Sequence, residues 1–149
     1  MFFLVAVIFA ASCFGQPPGS WKLNAARSTF AGEIRPKFVT LRIEARAKGE
    51  VFTLDRTEAD GRTTTSSVIL YFDGVARHFR EGECSGTQSS WQIDSQTIEI
   101  LRNCGAGAWT RFLRRTAPKN ELILEISEQR ADGRQFDRRL VFEKLFEKQ

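Results

Sequence analysis

The feature that most limits the fold is a series of short segments whose apolar residues alternate with polar ones. In the clearest segment, the odd positions from 39 to 47 are apolar and the even positions from 40 to 48 are polar. This period of two is typical of a strand with one face against a core and the other in water. Similar segments follow at residues 51–54, 63–72, 76–80, 89–94, 97–102, 108–115, 121–128 and 135–144.

Turn residues separate these segments, and the connections between them are short. Asp60-Gly61 and Asp132-Gly133 are the dipeptides that favour tight hairpins. Short connections imply antiparallel neighbours, and closing such a sheet removes its exposed edges. We therefore expect an all-β fold, an antiparallel up-and-down barrel of about eight to ten strands, with a β-sandwich as the alternative. Only residues 24–30, with Asn24 as an N-cap, could form a short helix or 3₁₀ turn.

The first residues are typical of a secretory leader. Residues 1–12 are predominantly apolar and carry no charge, and small residues follow them. The run is too short to cross a bilayer, so we expect no transmembrane segment in the mature chain. These observations predict a signal peptide at 1–15, a single domain at 16–149, and a secreted or periplasmic protein. The alternatives are a lipid anchor on Cys13 and a retained core or anchor helix.

Cleavage at either position leaves two cysteines available for pairing with each other. These are Cys84 and Cys104, and an even number of cysteines in an exported chain favours a disulfide bond. Cys104 lies in a glycine-rich turn, which also favours a bridge. The alternative is two unrelated buried thiols.

Residues 19–24, Gly-Ser-Trp-Lys-Leu-Asn, open the first predicted strand directly after the leader. This stretch resembles the Gly-x-Trp signature of lipocalins and the opening of small exported bacterial lipocalin-like proteins. The resemblance continues in pattern through the Asp60-Gly61 hairpin to the last strand. It implies a calycin-type barrel in which a basic residue of that strand packs over Trp21 and closes one end. Arg138 is the best match and Arg139 the alternative; otherwise Trp21 is an ordinary core residue and both arginines are solvated.

The alternation also predicts which side chains face the interior of the barrel. The inward set is Val39, Leu41, Ile43, Phe52, Leu54, Leu70, Phe72, Trp91, Ile93, Ile98, Ile100, Phe112, Leu122, Leu124, Ile126 and Leu140. Phe52, Leu54, Trp91 and Phe112 lie near turns and are the predicted ligand-binding residues. Arg56, Arg102 or Arg114 could then meet a ligand carboxylate at the rim. Because the inward residues are mostly large, a packed core without a ligand is an equal alternative.

The charge of the chain permits, but does not require, an anionic partner. There are 22 basic and 18 acidic residues, which gives a net charge of +4. Arg111 and Arg115 share a face with Trp109 and Leu113, so this face is a candidate contact for an anionic envelope component. The alternative is that these arginines are simply solvated. Acidic residues are interleaved nearly throughout, and this pattern together with export argues against nucleic acid.

The sequence offers little for catalysis. Its one histidine, His78, lies in no nucleophile motif, and no metal or cofactor motif is present. We therefore expect no catalytic residues, metal or cofactor. The predicted function is that of an exported, non-catalytic β-barrel that binds a small hydrophobic or amphipathic ligand. The alternative is a cell-envelope interaction module with a solid core and no small-molecule ligand.

Overall fold

In a computed structural model that describes residues 18–146, the chain forms ten strands and one 3₁₀ turn. The strands are β1 (Gly19–Leu23), β2 (Phe38–Arg46), β3 (Gly49–Thr57), β4 (Thr63–Leu70), β5 (Arg77–Glu81), β6 (Cys84–Gln92), β7 (Thr97–Gly105), β8 (Ala108–Ala117), β9 (Glu121–Gln129) and β10 (Gln135–Leu145). The predicted signal peptide at 1–15 and the alternative lipid anchor at Cys13 lie outside the described residues.

The strands form one antiparallel sheet in the order β4-β3-β2-β1-β10-β9-β8-β7-β6-β5. Every neighbour in this order is also a neighbour in the chain, except that β1 pairs with β10. The meander is therefore curled so that its first and last strands meet. This arrangement confirms the predicted all-β, antiparallel, up-and-down barrel and not the alternative sandwich.

The two edges of the sheet, β4 and β5, do not pair with each other within the described residues. The chain that follows β4 instead bonds to β6. The Gly74 N–H donates to the carbonyl oxygen of Ser90 at 2.9 Å, and Asp73 forms an isolated bridge with Trp91. Phe72 has φ +57° and donates its N–H to Ser90 Oγ at 3.1 Å. The barrel is thus closed at one end of this seam, and a cleft remains along the rest of it.

The turn residues act as their chemistry predicts. Asp60 Oδ1 accepts the Arg62 N–H at 3.0 Å between β3 and β4, and Asp132 Oδ1 accepts the Arg134 N–H at 3.0 Å between β9 and β10. Asn24 caps the predicted short turn, which is a 3₁₀ turn at Ala25–Arg27. Side-chain acceptors therefore stabilise these turns locally.

The interior of the barrel has two buried apolar clusters. The larger one is built mainly from β1, β2, β9 and β10 and contains Trp21, Leu23, Val39, Leu41, Ile43, Leu122, Leu124, Ile126 and Phe142. The smaller one contains Leu70, Ile98 and Ile100. Phe52 and Phe112 pack against both clusters and join them.

The predicted inward set is correct apart from Trp91 at the end of β6 and Ile93 just after that strand. Ile93 is 50% exposed, and Trp91 lies on the outer face between the inward residues Ser90 and Gln92. The inner face of β6 is polar at Ser90, whose hydroxyl oxygen accepts a hydrogen bond from the Phe72 N–H inside the barrel. Trp91 therefore points outward, which is the opposite of the inward position that the alternation predicted.

Candidate functional site

The barrel encloses a cavity of about 130 Å³ near the open ends of several strands. Its wall is mainly apolar, with Leu54, Val68, Phe112, Leu124 and Leu140 among the lining residues. These side chains come from β3, β4, β8, β9 and β10, so the cavity lies in the centre of the barrel rather than between two neighbouring strands. The apolar part of this wall favours an apolar occupant.

The segment between the 3₁₀ turn and β2 covers this cavity. Phe30, Glu33 and Pro36 contribute to the lining, and Pro36 is buried. Glu33 Oε2 accepts a hydrogen bond from Arg138 Nη1 on β10 at 3.1 Å. This segment is therefore fixed to the barrel wall by a charged contact as well as by apolar packing.

Three arginines line the cavity, and each of them already has an acidic partner. Arg56 pairs with Glu58, Arg102 Nη1 lies 3.4 Å from Glu81 Oε2, and Arg138 binds both Glu33 and Glu128. The Arg138 Nη2 to Glu128 Oε2 distance is 2.7 Å. These pairs leave the wall of the cavity with no excess of positive charge.

Arg102 has the most extensive set of contacts among these arginines. Its guanidinium carbon lies 4.2 Å from the ring centroid of Phe79 and 4.8 Å from that of Phe112. Its Nε donates to Gln88 Oε1 at 2.9 Å. Burial lowers the pKa of Arg102, whereas the charge of Glu81 opposes that shift. Arg102 therefore connects the edge strand β5 to the inner wall of the barrel.

A second charged pair lies in the interior below Phe52. Arg114 is completely buried and its Nη2 contacts Glu50 Oε1; the Arg114 guanidinium carbon lies 5.1 Å from the Phe52 ring centroid. Burial raises the pKa of Glu50, and the charge of Arg114 opposes that rise. Arg114 Nε and Nη1 have no hydrogen-bond partner in the described part of the chain. Neither residue lines the cavity, because the Phe52 ring, which is part of the wall, lies between this pair and the cavity.

The structure brings together three of the four predicted ligand-binding residues. Phe52, Leu54 and Phe112 all line the cavity. Trp91 does not, because it lies on the outer face opposite Glu99 of β7. Of the predicted rim arginines, Arg56 and Arg102 line the cavity, whereas Arg114 is paired with Glu50 in the interior.

The cation that packs over Trp21 is Lys144 and not the predicted Arg138. Trp21 is only 2% exposed, and the ammonium nitrogen of Lys144 lies 5.5 Å from its ring centroid. The reason is the register, because Trp21 is directly opposite Lys144 of β10. Arg138 lies six residues before Lys144 on the same strand, about 20 Å away at the usual rise per residue, and Arg139 points to the other face. Arg138 therefore binds Glu33 and Glu128 near the cavity instead.

The predicted disulfide between Cys84 and Cys104 is confirmed. It joins the beginning of β6 to the end of β7, two residues after Arg102. An open cleft of about 600 Å³ lies at the end of the barrel beside this bridge, and its lining includes Glu83, Trp109 and the inward-facing Thr110 and Glu128. This cleft is a surface depression, so it does not remove a ligand from water as the inner cavity does.

The arginines of the predicted outer patch are engaged with neighbouring carboxylates. Arg111 Nε and Nη2 donate to the two carboxylate oxygens of Glu99 at 3.0 and 3.1 Å. Arg115 Nη2 donates to Glu125 Oε1 at 2.7 Å. These cross-strand pairs compensate the positive charge of the face that the sequence analysis considered for an anionic partner.

Sequence reasoning did not identify the buried acid Glu50 or the cavity-lining acids Glu33 and Glu81. Only the alternation of Phe112 with Arg114 signals that an arginine points inward on β8. Across residues 18–146, acidic, histidine and cysteine side chains form no cluster suited to a metal ion. No helix in that range is long and apolar enough to cross a membrane. His78 is exposed on the edge strand β5.

No protein-family model and no curated protein sequence matches this chain. Solved structures do resemble it. The wild-type fluorescent protein UnaG superposes with a TM-score of 0.55 at 16% identity, over 86% of this chain and 96% of that one. A point mutant of UnaG gives a TM-score of 0.59 at 16% identity, over 87% and 96%. A fatty acid binding protein of Schistosoma mansoni, solved with arachidonic acid, gives a TM-score of 0.54 at 10% identity, over 91% and 98%.

These similarities show that the chain shares the fold of these proteins, an antiparallel up-and-down β-barrel. At 10–16% identity the likeness concerns the fold alone. Any ligand of this chain must therefore be argued from its own interior.

Proposed function

We propose that this protein binds a small, mainly apolar molecule inside its barrel and does not catalyse a reaction. The observation that carries the proposal is the enclosed cavity of about 130 Å³, whose wall includes Phe52, Leu54 and Phe112. Apolar enclosure provides binding energy through removal of surface from water. The solved structures with this fold include a fatty acid binding protein in complex with arachidonic acid, which supports the proposal by analogy of fold.

The cavity supports this function better than the alternative of a solid interaction module. A solid core would leave no enclosed space between Leu54 and Leu140, whereas these residues line a common cavity. An anionic partner on the outer face has less support, because Arg111 and Arg115 are already paired with Glu99 and Glu125. The outer face therefore lacks the uncompensated charge that such a partner would need.

Thermal unfolding in the presence of benzene tests the proposal. A ligand that binds only the folded state raises the midpoint of unfolding as its concentration rises. We expect a saturable rise for the wild-type chain and none for Leu54→Trp, whose indole fills the cavity. Leu113→Trp on the outer face of β8 is the matched control and should keep the rise. A wild-type midpoint that does not respond to benzene would remove the basis of the proposal.

Export remains a proposal as well. It is supported by the uncharged apolar residues at 1–12 and by the bond between Cys84 and Cys104, since disulfides persist mainly in oxidising compartments. Intact-mass measurement of the protein recovered outside the cytoplasm should give a shortened chain without reactive thiols at these two positions. A full-length chain with both thiols alkylated would contradict it.

A further inference from the structure

The size of the cavity restricts what it can hold. Its volume of about 130 Å³ is close to that of an engineered apolar cavity of about 150 Å³ that binds benzene in another protein. One aromatic ring with a small substituent therefore fits with little rearrangement. A long acyl chain would have to displace several lining side chains, and displacement in a packed interior is costly.

The shape of the wall also favours a flat ring. Phe52 and Phe112 both line the cavity and pack against both core clusters, so their positions are set from two sides. Aromatic side chains interact with another ring through stacked or edge-to-face contacts in addition to area burial. Arg102, which contacts the Phe112 ring, lines the same cavity and stiffens that part of the wall.

The charges around the cavity disfavour an anionic ligand. Arg56, Arg102 and Arg138 each hold a protein carboxylate already. A ligand carboxylate would have to break one of these pairs or lie beside the cavity-lining acids Glu33 and Glu81. Either arrangement gives up an existing ion pair or places the ligand charge beside a charge of the same sign, and both disfavour an anionic ligand.

One hydrogen-bond donor at the cavity has no protein partner. Arg138 Nε is buried and makes no hydrogen bond within the described residues, although both terminal nitrogens of this guanidinium are engaged by Glu33 and Glu128. Arg138 lines the cavity. The Nε atom has no accessible surface toward the cavity, so it offers no hydrogen bond to a ligand there.

We infer that the ligand of this cavity is an uncharged, single-ring aromatic molecule whose ring lies against Phe52 and Phe112. The inference rests on the proposed function and specifies the ligand class of the same site. It differs from an acyl-chain ligand in both size and charge.

Calorimetric titration of the full chain with four probes at neutral pH tests the inference. Methyl benzoate is a neutral ring with an acceptor, benzoate is the anion, propylbenzene lacks the acceptor, and laurate is an acyl chain. We expect methyl benzoate to bind at least about 10-fold more tightly than benzoate, since benzoate must bury its charge beside Glu33 and Glu81. Propylbenzene is also uncharged, so it too should bind more tightly than benzoate. Laurate should show no saturable heat.

Two cavity-filling variants show whether binding occurs at this site. Leu54→Trp should abolish the binding of methyl benzoate, and Val68→Phe is the second variant if the first does not fold. Leu113→Trp on the outer face is the control and should bind methyl benzoate normally. Unchanged binding in a folded cavity-filled variant would place the ligand elsewhere and overturn the inference.

The remaining outcomes separate the inference from the proposed function. Tighter binding of benzoate than of the two neutral aromatic probes would overturn the assignment of a neutral ligand. Binding of laurate without methyl benzoate would overturn the ligand class and leave a lumenal binding function in place. If none of the four probes binds to the folded protein and benzene has no effect, both the inference and the proposed function are contradicted.

Discussion

Glu50 of β3 and Arg114 of β8 form an ion pair inside the barrel, with side chains 3% and 0% exposed. The pair lies below Phe52, which separates it from the cavity. Two buried charges stabilise a fold little in net terms, because their desolvation offsets their attraction. Loss of one partner is different, since it leaves the other charge buried and unpaired.

Removal of one member of this pair should therefore destabilise the protein strongly. Arg114→Met alone or Glu50→Gln alone should cost about 3–5 kcal/mol of unfolding free energy. The double variant Glu50→Leu with Arg114→Met should recover most of this loss, because no charge then remains buried. Urea unfolding of the three variants measures the effect, and strictly additive losses in the double variant would contradict the pairing.

Trp21 is buried in the larger core cluster, and the ammonium group of Lys144 lies over its ring. Trp21→Ala should cost about 3–5 kcal/mol, because it leaves a large cavity among buried residues. Lys144→Met should cost about 0.5–2 kcal/mol, the usual range for a cation over an aromatic ring. Trp91→Ala on the outer face is the matched control for denaturant unfolding and should cost much less than Trp21→Ala. Equal losses for the two tryptophans would contradict the core position of Trp21.

The carboxylate of Asp73 fixes the connection between β4 and β5 where this connection bonds to β6. Hydrogen bonds from the Arg77 guanidinium and then from the Val75 N–H lower the pKa of Asp73 from 3.8 to about 2. Because the folded pKa is the lower one, the carboxylate contributes stability above pH 3.8 that is lost as the pH falls towards about 2.

Asp73→Asn should thus be less stable than wild type at pH 5, and the difference should disappear as the pH approaches about 2. Unfolding measured over this range tests the effect, and Asp137→Asn on the exposed face of β10 is the control. A carboxyl titration of Asp73 near its ordinary value in the folded protein would show that the contact with Arg77 is absent.

The bond between Cys84 and Cys104 should stabilise the fold chiefly by restricting the unfolded chain. These residues are 20 positions apart, and a loop of that length corresponds to about 3 kcal/mol in the chain-entropy model. The Cys84→Ser, Cys104→Ser double variant should lose about this amount in unfolding measurements. The wild-type protein should lose a similar amount of unfolding free energy when it is reduced. The double variant is the control, and reductant should not change its stability.

The overall fold could be predicted because its signals are local. The period of two follows from the pleat of each strand, and Asp60 and Asp132 make hydrogen bonds within their own turns. The disulfide was predictable because removal of the predicted leader would leave two cysteines, Cys84 and Cys104, to pair with each other. Phe52, Leu54 and Phe112 were assigned to the interior for the same local reason.

The details that were missed depend on residues far apart in the sequence. Trp91 faces outward because Ser90 is needed inside to bind the backbone of Phe72. The cation over Trp21 is set by the register between β1 and β10, which alternation alone does not determine. Arg114 can be buried only because Glu50 lies opposite it on a distant strand, and no local pattern reveals such a partner.

The most direct test of lumenal binding is a methyl-resolved NMR titration of the folded chain with methyl benzoate. The methyl groups of Leu54, Val68 and Leu140 line the cavity, whereas those of Leu101 and Leu113 lie on the outer face. Binding in the barrel predicts saturable shifts and ligand contacts for the first group and unchanged signals for the second. Shifts confined to the outer leucines, or no saturable shift at the cavity methyls, would contradict it.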